Sequence, residues 1–220
     1  MFLDKPFWIG ASAAVLAIGA LAFGAKLKGG MNLMGSGHTG NVGTRPGDIG
    51  SGQDIDAVAK SRGHELATFA GGCFWHTEDS FRKIPGVVAT AVGYSGGHTV
   101  NPTYRDVCTH TTGHAECVLV EFDPKQVSYK QLVSDFWSMI DPTQQNGQGP
   151  DLGANYRSII FYHSAEQKQE AEESLKALDA SGHYKKPIAT VIEPEAKFYM
   201  AEDYHQQYFE KNGINACGIG

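Results

Sequence analysis

The sequence predicts an α+β fold in which helices pack against a mixed or antiparallel sheet. Residues 87–94 and 115–122 are apolar and rich in β-branched residues, which is typical of strands. Residues 128–140 place apolar side chains at helical spacing behind Ser128 and Gln131, a pair with capping-box spacing. Strand and helix patterns follow one another without strict alternation, which indicates the α+β class.

The other elements follow from the same two periods and from glycine and proline. A short apolar run, residues 66–70, ends at Gly71 and Gly72. Helical spacing begins at Cys73 and stops at Pro85. Further along, the patterns predict strands over residues 157–162 and 188–193 and helices over residues 164–180 and 201–212.

The first part of the chain differs in composition from the rest. Residues 7–25 carry no charge and are rich in Ala, Leu, Ile and Gly, so we interpret residues 1–28 as a signal peptide or an N-terminal membrane anchor. Residues 29–62 are polar, glycine-rich and free of Phe, Tyr and Trp, which predicts a flexible linker. We expect an exported, periplasmic or membrane-anchored protein. An anchor facing the cytoplasm stays open, because Lys26 and Lys28 follow the apolar run.

Residues 63–220 have the size of one domain and can bury a core. A net charge of −6 and an isoelectric point near 5.8 give no basic surface, so we expect no nucleic-acid partner.

Cys73 is the first candidate for chemistry. It sits where a strand turns into a helix, and the free amides and the dipole of a helix start favour a thiolate. Gly71 and Gly72 let a substrate approach the backbone. The sequence therefore predicts a nucleophile, with a small buried core residue as the alternative.

Three further segments concentrate polar and aromatic residues. Residues 101–105 form a turn that presents Tyr104. Glu116 heads a strand, where burial would raise the pKa of its carboxyl and make it a proton donor near neutral pH; a solvated strand end is the alternative. Residues 141–156 form a long irregular loop that contains Asp151 and Tyr156, and such loops are usually functional.

The remaining cysteines do not suggest a metal site. Cys108 and Cys117, with His110 and His114, match no usual zinc spacing, and we expect no bound metal. Cys217 lies in a glycine-rich tail, where a mobile thiol can reach another sulfur. An activated cysteine together with a mobile one indicates a thiol redox cycle, and an inactive tail is the alternative.

Six segments together resemble one known family, in the same order along the chain. They are GCFW at residues 72–75, GYSGG at 93–97, NPTY at 101–104, TGHAE at 112–116, DLGANYRS at 151–158 and AEDYHQQY at 201–208. They are similar to the peptide methionine sulfoxide reductase A family. The resemblance implies a ferredoxin-like α/β sandwich with helices on a mixed sheet and a loop-rich C-terminal tail.

The resemblance also implies reduction of the S epimer of methionine sulfoxide, free or in oxidised proteins, by a monomer that binds no cofactor. Cys73 would be the nucleophile, and Phe74 and Trp75 would bind the methyl group of the substrate. Glu116 would protonate the sulfoxide oxygen. The roles implied for the other residues are hydrogen bonds from Tyr104 and Tyr156 to that oxygen, pocket positioning by Asp151, and resolution of the Cys73 sulfenic acid by Cys217 with thioredoxin or a similar dithiol as reductant.

Two positions depart from the family pattern. His76 stands where glycine is frequent and Asn155 where glutamine is usual, and either could shift substrate or reductant preference. A membrane-tethered module that binds methionine-rich segments without turnover is the rival hypothesis. It predicts a missing proton donor, whereas Glu116 and both tyrosines are present.

Overall fold

The computed structural model of the protein describes Gly43 and residues 45–214. The leader or anchor predicted over residues 1–28 lies outside these residues. None of the helices that are described has both the length and the apolar character needed to cross a membrane.

A mixed sheet forms the centre of the domain. Its strands and a separate hairpin are, in chain order, β1 (Glu65–Ala70), β2 (Val87–Ser95), β3 (Ala115–Phe122), β4 (Gly147–Gln148), β5 (Asp151–Leu152), β6 (Ile159–Tyr162), β7 (Val191–Pro194) and β8 (Tyr199–Met200). Over the described residues the sheet has six strands in the order β7-β6-β1-β3-β2-β8, and β4 pairs with β5. Only the β6–β7 ladder of this sheet is parallel. The predicted α+β class with a mixed sheet is confirmed.

Helices pack against this sheet. They are α1 (Ile55–Ser61), α2 (Phe74–Arg82), α3 (Tyr104–Val107), α4 (Tyr129–Met139), α5 (Ala165–Ala180) and α6 (Tyr208–Lys211), with 3-10 turns at Pro46–Asp48 and Ala154–Tyr156. The Ser128 hydroxyl caps α4 by accepting from the Gln131 amide at 3.1 Å, as the sequence predicts. The ring of Phe69 on β1 lies 4.7 Å from that of Phe81 on α2 and 5.1 Å from that of Phe136 on α4. These contacts join both helices to the sheet.

The register of the central strands determines which residues meet at one end of the sheet. Phe69 on β1 pairs with Val118 on the antiparallel β3. Continuing that register by two residues places Glu116 across from Gly71, two residues before Cys73, the N-cap of α2. On the other side of β3, Glu116 pairs with Tyr94 on β2. Cys73 and Glu116, which are far apart in sequence, are thus neighbours because of strand pairing.

The C-terminal segment differs from the helix predicted over residues 201–212, because only Tyr208–Lys211 is helical there. Gln207 has a φ of 49°, in the left-handed region that an α-helix does not use. The Gln206 amide accepts from the Val92 N–H and donates to the Val92 carbonyl, each at 2.9 Å. Side-chain pairing with β2 therefore replaces helical hydrogen bonds before α6.

Residues 45–61 also differ from the flexible linker predicted for residues 29–62. Asp54 caps α1 through its Oδ1, which accepts from the amides of Asp56 at 3.0 Å and Ala57 at 3.2 Å. Ala59 is fully buried against Leu66 and Leu119. The buried Glu121 carboxylate accepts from the Gly47 amide at 2.8 Å. A few apolar residues and one carboxylate thus fix a segment whose composition resembles that of a linker.

His163 anchors α1 to the end of the sheet opposite Cys73. Its Nδ1 lies 2.8 Å from the Glu195 carboxylate and 3.3 Å from that of Asp56, and its Nε2 lies 2.8 Å from the Thr68 hydroxyl. Burial opposes the charged form, but the hydrogen bonds and charges of Asp56 and Glu195 raise the pKa of His163 to about 9. Burial raises the pKa of Asp56, but its hydrogen bond to His163 and the charges of His163 and Lys60 together lower it.

We expect His163→Gln to weaken the attachment of α1 and to cost about 1 to 3 kcal/mol of unfolding free energy. A raised histidine pKa stabilises the fold fully below the unfolded value of about 6.5, and this contribution disappears as the pH rises through about 9. Thermal unfolding of wild type and His163→Gln between these pH values measures it. Asp179→Asn, at an exposed position on α5, is the control. If the stability of wild type and of His163→Gln depended on pH in the same way, the raised pKa of His163 would be contradicted.

Candidate active site

Cys73 lies at the junction of β1 and α2 and is the N-cap residue of α2. The predicted strand-to-helix position of this cysteine is confirmed. Gly72 has a φ of 83°, and a Cβ there would come within 2.6 Å of the Gln148 Cβ. Because only glycine fits, β4 can close over the turn that carries Cys73.

The pKa of the Cys73 thiol is raised to about 12, first by burial and then by the negative charge of Glu116. The amides of Trp75 and His76 lower it, as a helix start should, and the charge of Asp151 raises it further. Burial and the two carboxylates outweigh the helix amides. The expectation that the helix start makes Cys73 a thiolate is therefore wrong for the protein without substrate.

Glu116, at the start of β3, is only 2% exposed. Its Oε2 accepts from the Phe74 amide at 3.2 Å. Its Oε1 is buried and has no hydrogen-bond partner among the described residues. Burial raises the pKa of this carboxyl to about 7, although the Phe74 amide opposes the shift. The predicted pKa rise is confirmed, and the alternative of a solvated strand end is excluded.

Tyr104, Tyr156 and Asp151 lie within electrostatic reach of this pair. Burial raises the pKa of Tyr156 to about 12, with the charge of Glu116 as the next cause. Burial also raises the pKa of Tyr104, with contributions from the Cys108 thiol and Glu116. Both phenols are therefore hydrogen-bond donors at neutral pH. Asp151, on β5, adds negative charge that raises the pKa of Cys73, Glu116 and Tyr156. The structure thus brings together all five residues for which the sequence predicts a catalytic role.

Two polar side chains hold the tyrosines in place. The Arg157 guanidinium donates to the Ala154 carbonyl at 2.8 Å and to the Gly113 carbonyl at 3.0 Å, which ties the turn bearing Tyr156 to the segment before β3. The Glu202 carboxylate accepts from the Tyr104 amide at 2.9 Å and from the Tyr94 hydroxyl at 3.0 Å.

Phe74 and Trp75 form an aromatic wall next to Cys73. Phe74 is 2% exposed, and its ring centroid lies 6.4 Å from that of Tyr104 and 5.1 Å from that of His205. The indole of Trp75 stacks on the Tyr208 ring at 3.8 Å and donates its N–H to His205 Nδ1 at 3.0 Å. Rigid rings held in this way offer an apolar surface for a small group.

The sequence analysis assigned no role to Glu202, His205 or Tyr208. All three belong to the segment 201–208, which lies in the helix predicted over residues 201–212. His205 is in fact 1% exposed, and its Nε2 has no hydrogen-bond partner among the described residues. The cluster of Glu, His and Tyr in AEDYHQQY was the available signal. His76, which stands where glycine is frequent in the family, packs edge-on against Phe209, with ring centroids 4.7 Å apart.

The other cysteines differ in access. Cys117 is fully buried on β3, and burial raises its pKa to about 12. Cys108 is exposed just after α3. The predicted resolving residue Cys217 lies outside the described residues. In the described part of the chain, the donor atoms of three His, Cys, Asp or Glu residues come close enough to hold a metal ion only at Asp56, His163 and Glu195, the ion-paired set at the other end of β1.

A half-buried thiol beside a buried carboxyl that titrates near neutrality defines a cysteine-dependent enzyme with its own proton donor. Comparison with known proteins narrows this class. Residues 65–220 match the family model described as peptide methionine sulfoxide reductase. The chain therefore belongs to the peptide methionine sulfoxide reductase family.

Individual relatives agree with this assignment. Peptide methionine sulfoxide reductase MsrA of Methanosarcina acetivorans is 62% identical over 152 residues, which cover 69% of this chain and 81% of the relative. The protein of the same name from Geobacter sulfurreducens is 55% identical over 153 residues, covering 70% and 94%.

Two proteins of known structure share the fold. Reduced Mxr1 of Saccharomyces cerevisiae superposes with a TM-score of 0.66 at 36% identity, covering 72% of this chain and 91% of that one. Methionine sulfoxide reductase A of Corynebacterium diphtheriae gives a TM-score of 0.64 at 38% identity, covering 80% and 85%.

We expect Glu116→Gln to lower the pKa of Cys73 from about 12, because it removes the charge that raises this pKa most. Iodoacetamide should then alkylate Cys73 several-fold faster at about pH 8, since the thiolate is the reactive form. Peptide mass spectrometry measures the rate, with the exposed Cys108 as internal reference and Asp179→Asn as control for loss of a remote charge. The same Cys73 rate in Glu116→Gln and wild type would contradict the electrostatic coupling.

Proposed function

We propose that this methionine sulfoxide reductase acts on the S epimer of methionine sulfoxide, in oxidised proteins and as the free amino acid. The observation that carries the proposal is the Cys73 thiol next to the buried Glu116 carboxyl. A sulfoxide must gain a nucleophile at sulfur and a proton at oxygen, and this pair supplies both. The rival hypothesis of a binding module without turnover is not supported.

The pair starts the reaction with one shared proton. Above about pH 7 Glu116 is ionised while Cys73 keeps its proton. The reactive form has that proton on Glu116 and the charge on Cys73 Sγ, and it is the minor form in the free protein. A sulfoxide oxygen that accepts a hydrogen bond from protonated Glu116 stabilises this minor form. Substrate binding therefore favours ionisation of the nucleophile.

The chemical step then balances without another reactant. The Cys73 thiolate attacks the sulfoxide sulfur, and Glu116 donates its proton to the oxygen. The attack forms an S–S bond between Cys73 and the substrate. The S–O bond then breaks with its electron pair on oxygen, and the resulting hydroxide attacks Cys73 Sγ as the S–S bond breaks with its electron pair on the methionine sulfur. The products are methionine and a Cys73 sulfenic acid, so the thiol is oxidised by two electrons and the sulfoxide is reduced by two.

The surrounding residues orient the substrate in this proposal. The Tyr104 and Tyr156 hydroxyls donate hydrogen bonds to the sulfoxide oxygen, which gains negative charge in the transition state. The terminal methyl group packs on Phe74 and Trp75, which fixes one substituent of the chiral sulfur. Asp151 positions the β4–β5 hairpin side of the pocket. To distinguish the two epimers, a site must fix the oxygen, the methyl group and the direction of attack around the chiral sulfur.

The second half of the cycle regenerates Cys73. The Cys217 thiol condenses with the sulfenic acid, which forms a disulfide and releases water. Thioredoxin or a similar dithiol protein reduces this disulfide by exchange. In this proposal the protein works as a monomer, exported or anchored through residues 1–28. Intact mass in membrane and soluble fractions tests the location, and an uncleaved chain in the cytosol would reject it.

We expect Cys73→Ser to release no methionine from a methionine sulfoxide peptide, because the nucleophile is missing. Cys217→Ser should release one equivalent per enzyme and then stop with thioredoxin, because nothing resolves the sulfenic acid. Chromatographic counting of methionine per active site distinguishes the two. Cys108→Ser is the matched control and should keep full turnover. Continued thioredoxin-driven turnover by Cys217→Ser would show that another cysteine resolves.

The pH profile tests the role of Glu116. With excess substrate in a single turnover, the wild-type rate should rise as the pH rises through about 7 and then stay level, because the pair then keeps one proton. In Glu116→Gln the rate should fall about a hundredfold or more, with no break near pH 7. Quenched-flow measurement of methionine release gives both curves. An unchanged rate in Glu116→Gln would rule out this residue as the acid.

A further inference from the structure

His110 contacts the site from a turn that the proposed mechanism does not use. It follows α3 and has a φ of 60°. Its Nδ1 lies 2.6 Å from Asn155 Oδ1. An amide oxygen can only accept, so His110 Nδ1 carries the proton and donates it to this oxygen.

Asn155 stands between His110 and the proton donor. It is 1% exposed, and its Nδ2 is buried without a hydrogen-bond partner among the described residues, as is Glu116 Oε1. Because Oδ1 faces His110, the Nδ2 end of the amide faces away from it. The Asn155 side chain also opposes the rise in pKa that burial causes at Glu116 and Tyr156, as a nearby N–H donor does. Whether the oxygen or the nitrogen of the Asn155 amide faces Glu116 therefore depends on whether residue 110 donates or accepts a hydrogen bond.

Gly153 keeps His110 and Asn155 in close contact. A Cβ at this position would come within 2.5 Å of His110 Cε1 and 2.6 Å of Asn155 Oδ1. The φ of Gly153 is 145°, which also favours glycine. The imidazole thus lies directly against the backbone before the 3-10 turn Ala154–Tyr156. This packing limits the orientations in which the His110 ring can contact the Asn155 side-chain amide.

We propose that His110 is a positioning residue for the reductive step. By donating to Asn155 Oδ1, it holds the Asn155 N–H groups toward Glu116 and Tyr156. When Glu116 gives its proton to the sulfoxide, a carboxylate forms in a buried place where the Phe74 amide is its hydrogen-bond donor. The Asn155 amide supplies a second donor as that charge develops. The inference rests on the proposed role of Glu116 as the acid.

Other titratable groups also act on Glu116, and they remain unchanged in the test. The groups whose charges interact with its carboxyl are Asp151, Cys73, Tyr94, Tyr104, Tyr156 and Cys117. The experiment must therefore alter the hydrogen bond of residue 110 and separate it from any added charge.

Asparagine and aspartate at position 110 form a matched pair. Both tolerate a φ of 60°, and both place a polar δ atom where His110 has Nδ1. Only asparagine can donate. We expect His110→Asn to keep the wild-type single-turnover rate. His110→Asp should turn the Asn155 oxygen toward Glu116, slow methionine release on the order of tenfold, and move the break near pH 7 upward.

Two further variants separate the hydrogen bond from charge and from folding. Thr111→Asp adds a carboxylate nearby without contacting Asn155 and should leave the profile close to wild type. His110→Gly removes the side chain at a φ that glycine accepts, so it should fold and should also lose rate. In an Asn155→Ala background, the difference between Asn and Asp at position 110 should vanish, because the intermediary is gone.

The outcomes are distinct. Equal rates for His110→Asn and His110→Asp, a wild-type rate for His110→Gly, or a difference that persists with Asn155→Ala would each overturn the proposal. Faster reaction with Asp than with Asn would mean that residue 110 accepts, which also overturns it. An unchanged Glu116→Gln rate would instead reject the proposed acid, whatever the variants at position 110 show.

Discussion

The electrostatic interaction between the half-buried Cys73 thiol and the buried Glu116 carboxyl is the one on which the site depends. Burial raises the pKa of both groups, and the negative charge of Glu116 raises that of Cys73 further. The pair is adjacent only because β1 and β3 run antiparallel in the register that puts Glu116 across from the turn after β1. A shift of one residue in that register would turn Glu116 to the other face of the sheet. Fold and chemistry are linked at this point.

The second requirement is a firm aromatic wall, and the segment after β8 provides it with little regular structure. Gln206 pairs with the backbone of β2, while the buried Glu78 on α2 accepts from the Gln207 amide at 2.8 Å and from its side chain at 2.9 Å. These bonds fix the chain so that His205 and Tyr208 reach Trp75. Buried polar side chains, bonded to backbone groups and to one another, fix this segment without helical hydrogen bonds.

Much of the fold was predictable from periodicity. The strand over residues 115–122 and the helix begun by Ser128 depend on local patterns, and both agree with the structure. Residues 201–212 differ from the predicted helix, because their helical pattern competes with side-chain bonds to distant strands. Residues 45–61 were missed since a few contacts with Leu66, Leu119 and Glu121, rather than composition, order them.

The sequence predicts which residues form the site, but not the direction in which the pKa of Cys73 shifts. The motifs identify Cys73, Glu116 and the two tyrosines, and the local sequence indicates a helix start at the cysteine. The sequence does not show that Glu116 lies across from that turn, and this charge together with burial outweighs the helix amides. Long-range pairing decides the sign of the pKa shift, and no pattern within a short window contains it.

The raised pKa of Cys73 has a consequence for the survival of the enzyme. Peroxide oxidises thiolates and leaves protonated thiols largely untouched. A nucleophile that was always ionised would be consumed by the same oxidants that create its substrate. In the proposed cycle the sulfur is mostly protonated while the pocket is empty, and a bound sulfoxide oxygen favours its ionisation. The Cys73 thiol can therefore stay reduced during oxidative stress and react once methionine sulfoxide binds.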